Sequence, residues 1–363
     1  GDDGMKHQVE LEKAVKAYPR MRVVGPNCLG IMVPGLGLNA TFAADMPKPG
    51  NIAFLSQSGA LCTSVLDMAI ADEIGFSYFV SVGNTMDVTI GDLIDYFGQD
   101  ANTSSIILYN ESIVDARQFM SASRAFARTK PIVAYKAGRF AESAQAAASH
   151  TGAMAAEDDV FDAALERAGI VRVYDVNDMF ECAELLAKRR SPGGPRLAIV
   201  TNAGGPGVMA TDALMERKGV LAALTEETVK RLDAVLPSMW SHGNPIDILG
   251  DAQPDRYAMA TDIVLQDPGV DAALVVLTPQ AMTDPTETAR RVAEITKESR
   301  KPVLAAWMGA GAVAEGVRLL NQAGIPTYQS PERAVSAFMY LVKYARNIEI
   351  LYETPKDIPV NFA

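Results

Sequence analysis

His150 stands in ASHTGAMAA, where it is the sole potential nucleophile apart from hydroxyls. A neutral imidazole is available near pH 7, because its unperturbed pKa is about 6.5. It is a competent nucleophile toward phosphorus; the plainer reading is a solvated loop histidine. A histidine nucleophile benefits from a carboxylate that keeps the other ring nitrogen as N–H. Glu111 is the best candidate, because it follows SSIILYN and so belongs at a strand's carboxyl end. It also reads as a surface glutamate opening a helix. Asp158 and Asp159 read more simply as first-turn helix charges.

Two glycine-containing turns could hold the phosphate. SQSGA (56–60) lies between an apolar run and an amphipathic one. Its candidate contacts are Ser56, Ser58, Gly59 and Ala60. TNAGGPG (201–207) occupies the matching place later in the chain, with Asn202, Ala203, Gly204, Gly205 and Gly207 as candidates. Small residues let backbone approach a ligand closely. A helix start offers free N–H groups and about +0.5 of charge, which together make an anion site. Pro206 fits a first helical turn, where its missing N–H costs nothing. Either turn alone could serve tight packing only. If two domains face each other, both helix starts could address one phosphate. Cys28, in GPNCLGIM, could line a site or fill space as a small hydrophobe. SVGN (81–84) and NPIDILGDA (244–252) also end apolar runs, and Asp247 could cap a helix or position a ligand.

These residues need a scaffold, and the chain supplies a repeating one. Residues 8–18 have helical spacing, and MRVVGPN reads as a short strand ending at Gly25-Pro26. From Asn51 apolar runs alternate with helices: NIAFLS, LCTSVLDMAIADE, FSYFVSVG, VTIGDLIDYFG, SSIILYN, VDARQFMSASRAFART and PIVAYKAG. That rhythm predicts a parallel sheet covered on both faces. After SPGGP (191–195) it repeats: RLAIVTNAGGPGVMATDALMERKG mirrors NIAFLSQSGALCTSVLDMAIADEIG. The fold class is therefore α/β, with two related doubly wound, mostly parallel-sheet, flavodoxin-like domains. At 363 residues the chain exceeds the ~250–300 at which one core stops growing. The first copy alone inserts RFAESAQAAASHTGAMAAED after a strand, and that insertion contains His150. Loops added at strand carboxyl ends often carry function.

Composition excludes several classes. The net charge of -11 disfavours sequence-independent nucleic-acid binding. Three cysteines lie far apart, so neither a disulfide framework nor a CxxC metal site is expected. Three scattered histidines suggest no zinc site. No apolar run nears the ~18 residues of a membrane span, so no membrane is expected. A reducing, cytoplasmic setting fits best.

GPNCLGIM, PGNIAFLSQSGAL, SVGN, the Glu111 strand, SHTGAMAA, NAGGPGVMATDA and NPIDILGDA follow one another in this order. In this the chain resembles the NDP-forming acyl-CoA synthetases, the ADP-forming acetyl-CoA synthetases related to succinyl-CoA synthetase. The resemblance covers essentially the whole chain. It implies interconversion of acyl-CoA, ADP and phosphate with carboxylic acid, coenzyme A and ATP. The phosphoryl group would pass through His150 on a mobile loop, with Glu111 supporting it and the two helix starts holding the phosphate. It implies a CoA and acyl site at Asn27, Cys28, Gly83 and Asn84. It also implies that residues 1–26 are the tail of a truncated CoA-binding Rossmann domain. Residues 27–190 would then be a ligase domain, 191–195 a linker and 196–363 a second ligase-like domain. ATP or ADP with magnesium would bind an ATP-grasp module absent from this chain, in the same protein or a partner subunit. The chain is then expected to be a fragment, incomplete as a ligase. A competing reading makes this core the sensor of a fused protein acetyltransferase. A Rossmann dehydrogenase is weakened, because neither turn reads GxGxxG with an acidic residue ~20 positions later.

Overall fold

The computed structural model describes residues 2–140, 142–143, 158–187 and 191–353. His150 lies outside the described residues. The chain divides into two compact units, one from 1–187 with 347–363, the other from 188–346.

The first unit opens with α1 (Asp2–Ala17), then β1 (Gly30–Val33) and β2 (Leu38–Thr41). There follow β3 (Pro49–Ser56), α2 (Gly59–Ala71), β4 (Phe76–Ser81), α3 (Ile90–Gln99), β5 (Ser105–Asn110), α4 (Ala116–Phe126) and β6 (Ile132–Lys136). Beyond the insertion come α5 (Asp158–Arg167), β7 (Val171–Val173) and α6 (Val176–Ala187). The sheet order is β2-β1-β4-β3-β5-β6-β7. β1 runs antiparallel to both neighbours, and every other pair is parallel. Residues Ile52 to Leu55 and Ile106 to Leu108 are buried, as strands covered on both faces must be. Helix starts are written locally: Thr89 and Asp92 form a capping box on α3, and Asp115 caps α4.

The expected strand at MRVVGPN is not one. Val88 N–H donates to Val23 C=O at 3.1 Å and Met86 N–H to Gly25 C=O at 3.0 Å, tying the segment to a loop instead of a sheet. Pro26 has no N–H for a ladder, and Asn27 sits at φ 57°. The hairpin of β1 and β2 was not anticipated from periodicity.

The second unit contains β8 (Arg196–Thr201), α7 (Gly204–Glu216), β9 (Val220–Leu221), α8 (Glu226–Val235), β10 (Ile246–Asp247) and α9 (Pro254–Gln266). β11 (Ala272–Leu277), α10 (Pro285–Thr296), β12 (Val303–Trp307), α11 (Ala314–Gln322), β13 (Thr327–Tyr328) and α12 (Pro331–Tyr352) complete it. Its order is β10-β8-β11-β12-β13, with β9 also on β8, and all pairs are parallel. β9 pairs with the start of β8 and β10 with its end. In the first unit β4 alone spans β3. Residues 347–352 of α12 belong to the first unit, where Leu351 joins the core with Ile170 and Phe161.

Omitting β1 and β2, both orders have the doubly wound 2-1-3-4-5 form. Such sheets bind ligands at the strand carboxyl ends where the order reverses, here beside β3 and β5 in one unit and β8 and β11 in the other. No helix among the described residues is long and apolar enough to cross a membrane.

Candidate functional site

At the first switch point, Ser56 closes β3 with its side chain fully buried. Its hydroxyl donates to Ser58 C=O and accepts from Ser58 N–H, each at 3.0 Å. Ser56, expected at the phosphate, holds the turn with its side chain and is not among the residues lining the cleft. Ser58 is the N-cap of α2 and accepts from Leu61 N–H at 3.2 Å. Gln57 between them accepts from Glu111 N–H at 2.6 Å and Ser112 N–H at 2.9 Å. The turn after β3 is thereby pinned to the end of β5.

A cleft of about 900 Å³ opens over this junction. Ser58, Gly59 and Ala60 line it from the start of α2, and Glu111 from the end of β5. Asn27 and Cys28 line it from the segment before β1, and Gly83 and Asn84 from the loop after β4. Those two segments clasp each other: Asn84 N–H donates to Pro26 C=O at 2.9 Å, and Leu29 N–H donates to the Ser81 hydroxyl at 2.9 Å. Gly83 has φ +53°, and a Cβ there would lie 2.3 Å from the Pro26 oxygen. Only glycine fits that crossing.

The electrostatics suit an anion held by backbone. None of the described lining residues is lysine or arginine. The free N–H groups and dipole of α2 are the positive features facing the cleft. Burial pushes the Cys28 thiol up, and its Sγ lies 3.7 Å from Val24 C=O, so it stays a neutral thiol at pH 7. Burial, then the nearby Glu111 carboxylate, pushes the Tyr109 hydroxyl up to about 12. Tyr109 lines the cleft and stacks on Tyr135 with centroids 5.4 Å apart.

The second switch point repeats the backbone device. Thr201 replaces Ser56: its hydroxyl donates to Ala203 C=O at 2.9 Å and accepts from Ala203 N–H at 3.1 Å. Asn202 replaces Gln57, accepting from Thr278 N–H at 2.9 Å and donating to Thr278 C=O at 2.9 Å. Asn202 is 1% exposed, so its side chain ties the sheet and is not presented as a phosphate ligand. Gly207 is likewise packing, since a Cβ there would meet Thr201 at 3.1 Å and Pro245 at 3.3 Å. Ala203 gives α7 no side-chain cap, and Gly204 and Gly205 are exposed. Asp247 caps no helix. One oxygen accepts from Leu249 N–H at 2.9 Å, and the other lies 3.4 Å from where a Gly204 Cβ would be.

Asp158, expected as a helix charge, does open α5, and the buried Arg172 guanidinium also donates to it. Burial pushes Asp158 up, but Arg172 and Arg139 hold it below the usual carboxylate range. Gln57, Thr85 and Tyr109 were not singled out from sequence. Gln57 and Thr85 lie in or beside the quoted turns, the only signal that could have found them. No metal-holding cluster of His, Cys, Asp or Glu occurs among the described residues.

Two family models match the chain. The succinyl-CoA ligase like flavodoxin domain covers residues 49–186, and the ligase-CoA domain covers residues 197–352. The chain is 40% identical, over 96% of its length, to the alpha subunit of an ADP-forming acetate-CoA ligase II from Pyrococcus furiosus, and covers 76% of that protein. The chain belongs to the ADP-forming acetate-CoA ligase family. Among other relatives is the acetate-CoA ligase I of Archaeoglobus fulgidus, 39% identical over 95% of this chain. Here the chain spans 49% of the relative's length. The 4-hydroxybutyrate-CoA ligase of Nitrosopumilus maritimus is 34% identical over 95% of the chain, which spans 50% of it. A solved structure of the Ca. Korarchaeum cryptofilum dinucleotide forming acetyl-coenzyme A synthetase 1, in complex with phosphate and ADP, matches with TM-score 0.84 and 38% identity. That match covers 95% of this chain and 75% of the other. Ligase relatives of this kind do not favour the acetyltransferase-sensor reading.

Proposed function

We propose that this chain supplies the acyl- and CoA-handling part of an ADP-forming acid-CoA ligase that works through a phosphohistidine at His150. One observation supports this most: a single cleft gathers Cys28, the α2 start, Gly83–Asn84 and Glu111 at the topological switch point. Its size is that of a site for a small-molecule ligand.

In the direction of ATP formation, a phosphate oxygen bonds to the acyl carbon of acyl-CoA. The carbon–sulfur bond breaks, and CoA leaves as its thiol, taking up the proton lost by phosphate. A ring nitrogen of His150 then bonds to phosphorus, the bridging P–O bond breaks, and the carboxylate leaves with the electron pair. ADP oxygen finally takes the phosphoryl group at a nucleotide module elsewhere in the protein or in a partner subunit. Glu111 orients the imidazole by accepting its second N–H. The N–H groups at Gly59 and Ala60 stabilise phosphoryl oxygens, where preorganised dipoles need no reorganisation as charge moves. Gly204 and Gly205 offer the same to an anion at the second helix start. Cys28, a neutral thiol, shapes the site without acting as a nucleophile.

The test is incubation of the full-length protein with radiolabelled ATP and magnesium, for wild type and His150→Ala. Acid-labile, base-stable label that is absent from the variant is the expected result. Label that persists in His150→Ala would overturn the assignment.

A further inference from the structure

Three cations and two carboxylates meet near the ends of β6 and β7. Arg172 on β7 pairs with Ala134 on β6, and Lys136 stands two residues further along β6 on the same face. Both are buried, Arg172 at 1% and Lys136 at 4% exposure. The Arg172 guanidinium donates to one carboxylate oxygen of Asp158 and lies 3.6 Å from Asp162. Arg139 lies 3.6 Å from the other Asp158 oxygen. Arg139 and Arg172 also stand over the Tyr174 ring, 4.4 and 5.0 Å from its centroid. Two like charges on one ring repel, and the Asp158 carboxylate that pairs with both offsets the repulsion.

The Lys136 ammonium donates to the carbonyls of Ala137 and, at 3.5 Å, Gly138, and both of those residues line the cleft. The chain is therefore held from the strand end to the cleft rim, and Arg139 is the next residue. Asp158 is the first residue of α5. Between Arg139 and Asp158 in sequence lies 140–157, the stretch that contains His150. The Arg139–Asp158 pair thus ties together the two ends of that stretch, and the buried Arg172 fixes the tie to the sheet. Stability alone is a poor reason for such a cluster, because burying charges costs about as much as their pairing returns.

Building on the phosphohistidine reading, we propose that Arg139 and Asp158 are positioning residues for the phosphoryl transfer, joining the two ends of the His150 stretch beside the cleft. They touch no reacting atom. Their pairing fixes where the stretch leaves the scaffold and where it rejoins it. It thereby sets the position from which His150 meets an acyl phosphate near Glu111 and the α2 start. Holding reacting groups in place supplies much of an enzymatic rate, and a misplacement of about 1 Å can cost ~10²-fold. Arg172 serves the pair as its anchor on β7.

The experiment follows radiolabelled phosphohistidine in the full-length protein with its nucleotide-binding module. Discharge of the label is timed after mixing with acetate and CoA, alongside steady-state kcat and KM and the melting temperature. Arg139→Gln cuts the tie and leaves the buried Arg172–Asp158 pair, so the melting temperature should stay within about 3 °C of wild type. Its discharge rate and kcat should fall roughly 5- to 50-fold, with the KM values for CoA and acetate within about twofold. Arg139→Lys, which keeps the charge, should recover part of the loss. Asp158→Asn should fall at least as far. Adding Arg139→Gln to it should slow discharge no further, the signature of two residues that act as one. If Asp158→Asn does not fold, the Arg139 variants decide the matter alone. A wild type that takes up label on His150, with an Arg139→Gln variant that discharges it at the wild-type rate, overturns the positioning role alone. So does a loss in Arg139→Gln that appears in the KM for CoA and not in discharge. A wild type that takes up no label at His150 overturns the phosphohistidine reading and this inference with it.

Discussion

The turns after β3 and β8 share a backbone and differ in what they offer. In each, a buried hydroxyl, Ser56 or Thr201, both donates and accepts within the turn. In each, an amide side chain, Gln57 or Asn202, accepts from the N–H at the next strand's end. Beyond that they diverge. The first turn caps its helix with Ser58, abuts Glu111 and opens on a cleft. The second leaves α7 uncapped, seals its amide in the sheet and sets Asp247 beside Gly204. Duplication thus preserved the device that makes a tight strand-to-helix turn. Side chains one or two positions away decide whether that turn becomes a reaction site.

The largest test of this contrast is Glu111→Gln. The first turn's neighbour should matter to the chemistry, so overall acyl-CoA formation should fall on the order of 10²–10⁴-fold. A fall of less than about threefold would show that the cleft does not depend on this carboxylate. Next comes a pair of glycines. Gly83→Ala would drive a Cβ to 2.3 Å from the Pro26 oxygen at positive φ, and should cost roughly 2–4 kcal/mol in urea unfolding. Gly205→Ala meets nothing within 4 Å, so stability should hold within about 0.5 kcal/mol. A rise in the KM for phosphate in that variant would place an anion at the second helix start. Equal stability losses at both positions would erase the distinction.

The amide pair sharpens the comparison further. Asn202→Ala strands the buried Thr278 N–H and should cost about 1–3 kcal/mol. Gln57→Ala, at a more open position, should act chiefly on kcat by loosening Glu111, and a pure stability loss there would make the two amides equivalent. The smallest effect is at the caps. Ser58→Ala should destabilise by about 1 kcal/mol, and Ala203→Ser should stabilise by a similar or smaller amount. If Ala203→Ser also weakens phosphate binding, the uncapped N–H groups of α7 are reserved for the ligand.

The residues themselves made much of this legible. Apolar runs at regular intervals specify buried parallel strands, because a strand covered on both faces cannot alternate with polar residues. The mirrored segments established a duplicated scaffold, and SQSGA, Glu111 and SVGN were each assigned to strand ends where doubly wound sheets bind ligands. Periodicity was silent on the β1–β2 hairpin and on the splitting of the β4 equivalent into β9 and β10, and it read MRVVGPN as a strand that the fold does not form. Those features depend on which backbone groups find partners far along the chain, as when Val88 bonds Val23. That Ser56, Asn202 and Gly207 serve the turn and its packing was not legible for the same reason. A polar or small residue in a glycine-rich turn looks the same in sequence whether it faces a ligand or the turn itself. Only the fold shows that Ser56 and Asn202 are buried in hydrogen bonds and that Gly207 packs on Pro245. Sequence determined the elements, their order and the chemical groups at their ends, since those follow from local pattern. Tertiary structure alone decided which ends converge on one cleft and which polar groups of the turns are sealed in hydrogen bonds, because burial and hydrogen-bond satisfaction are properties of the packed whole.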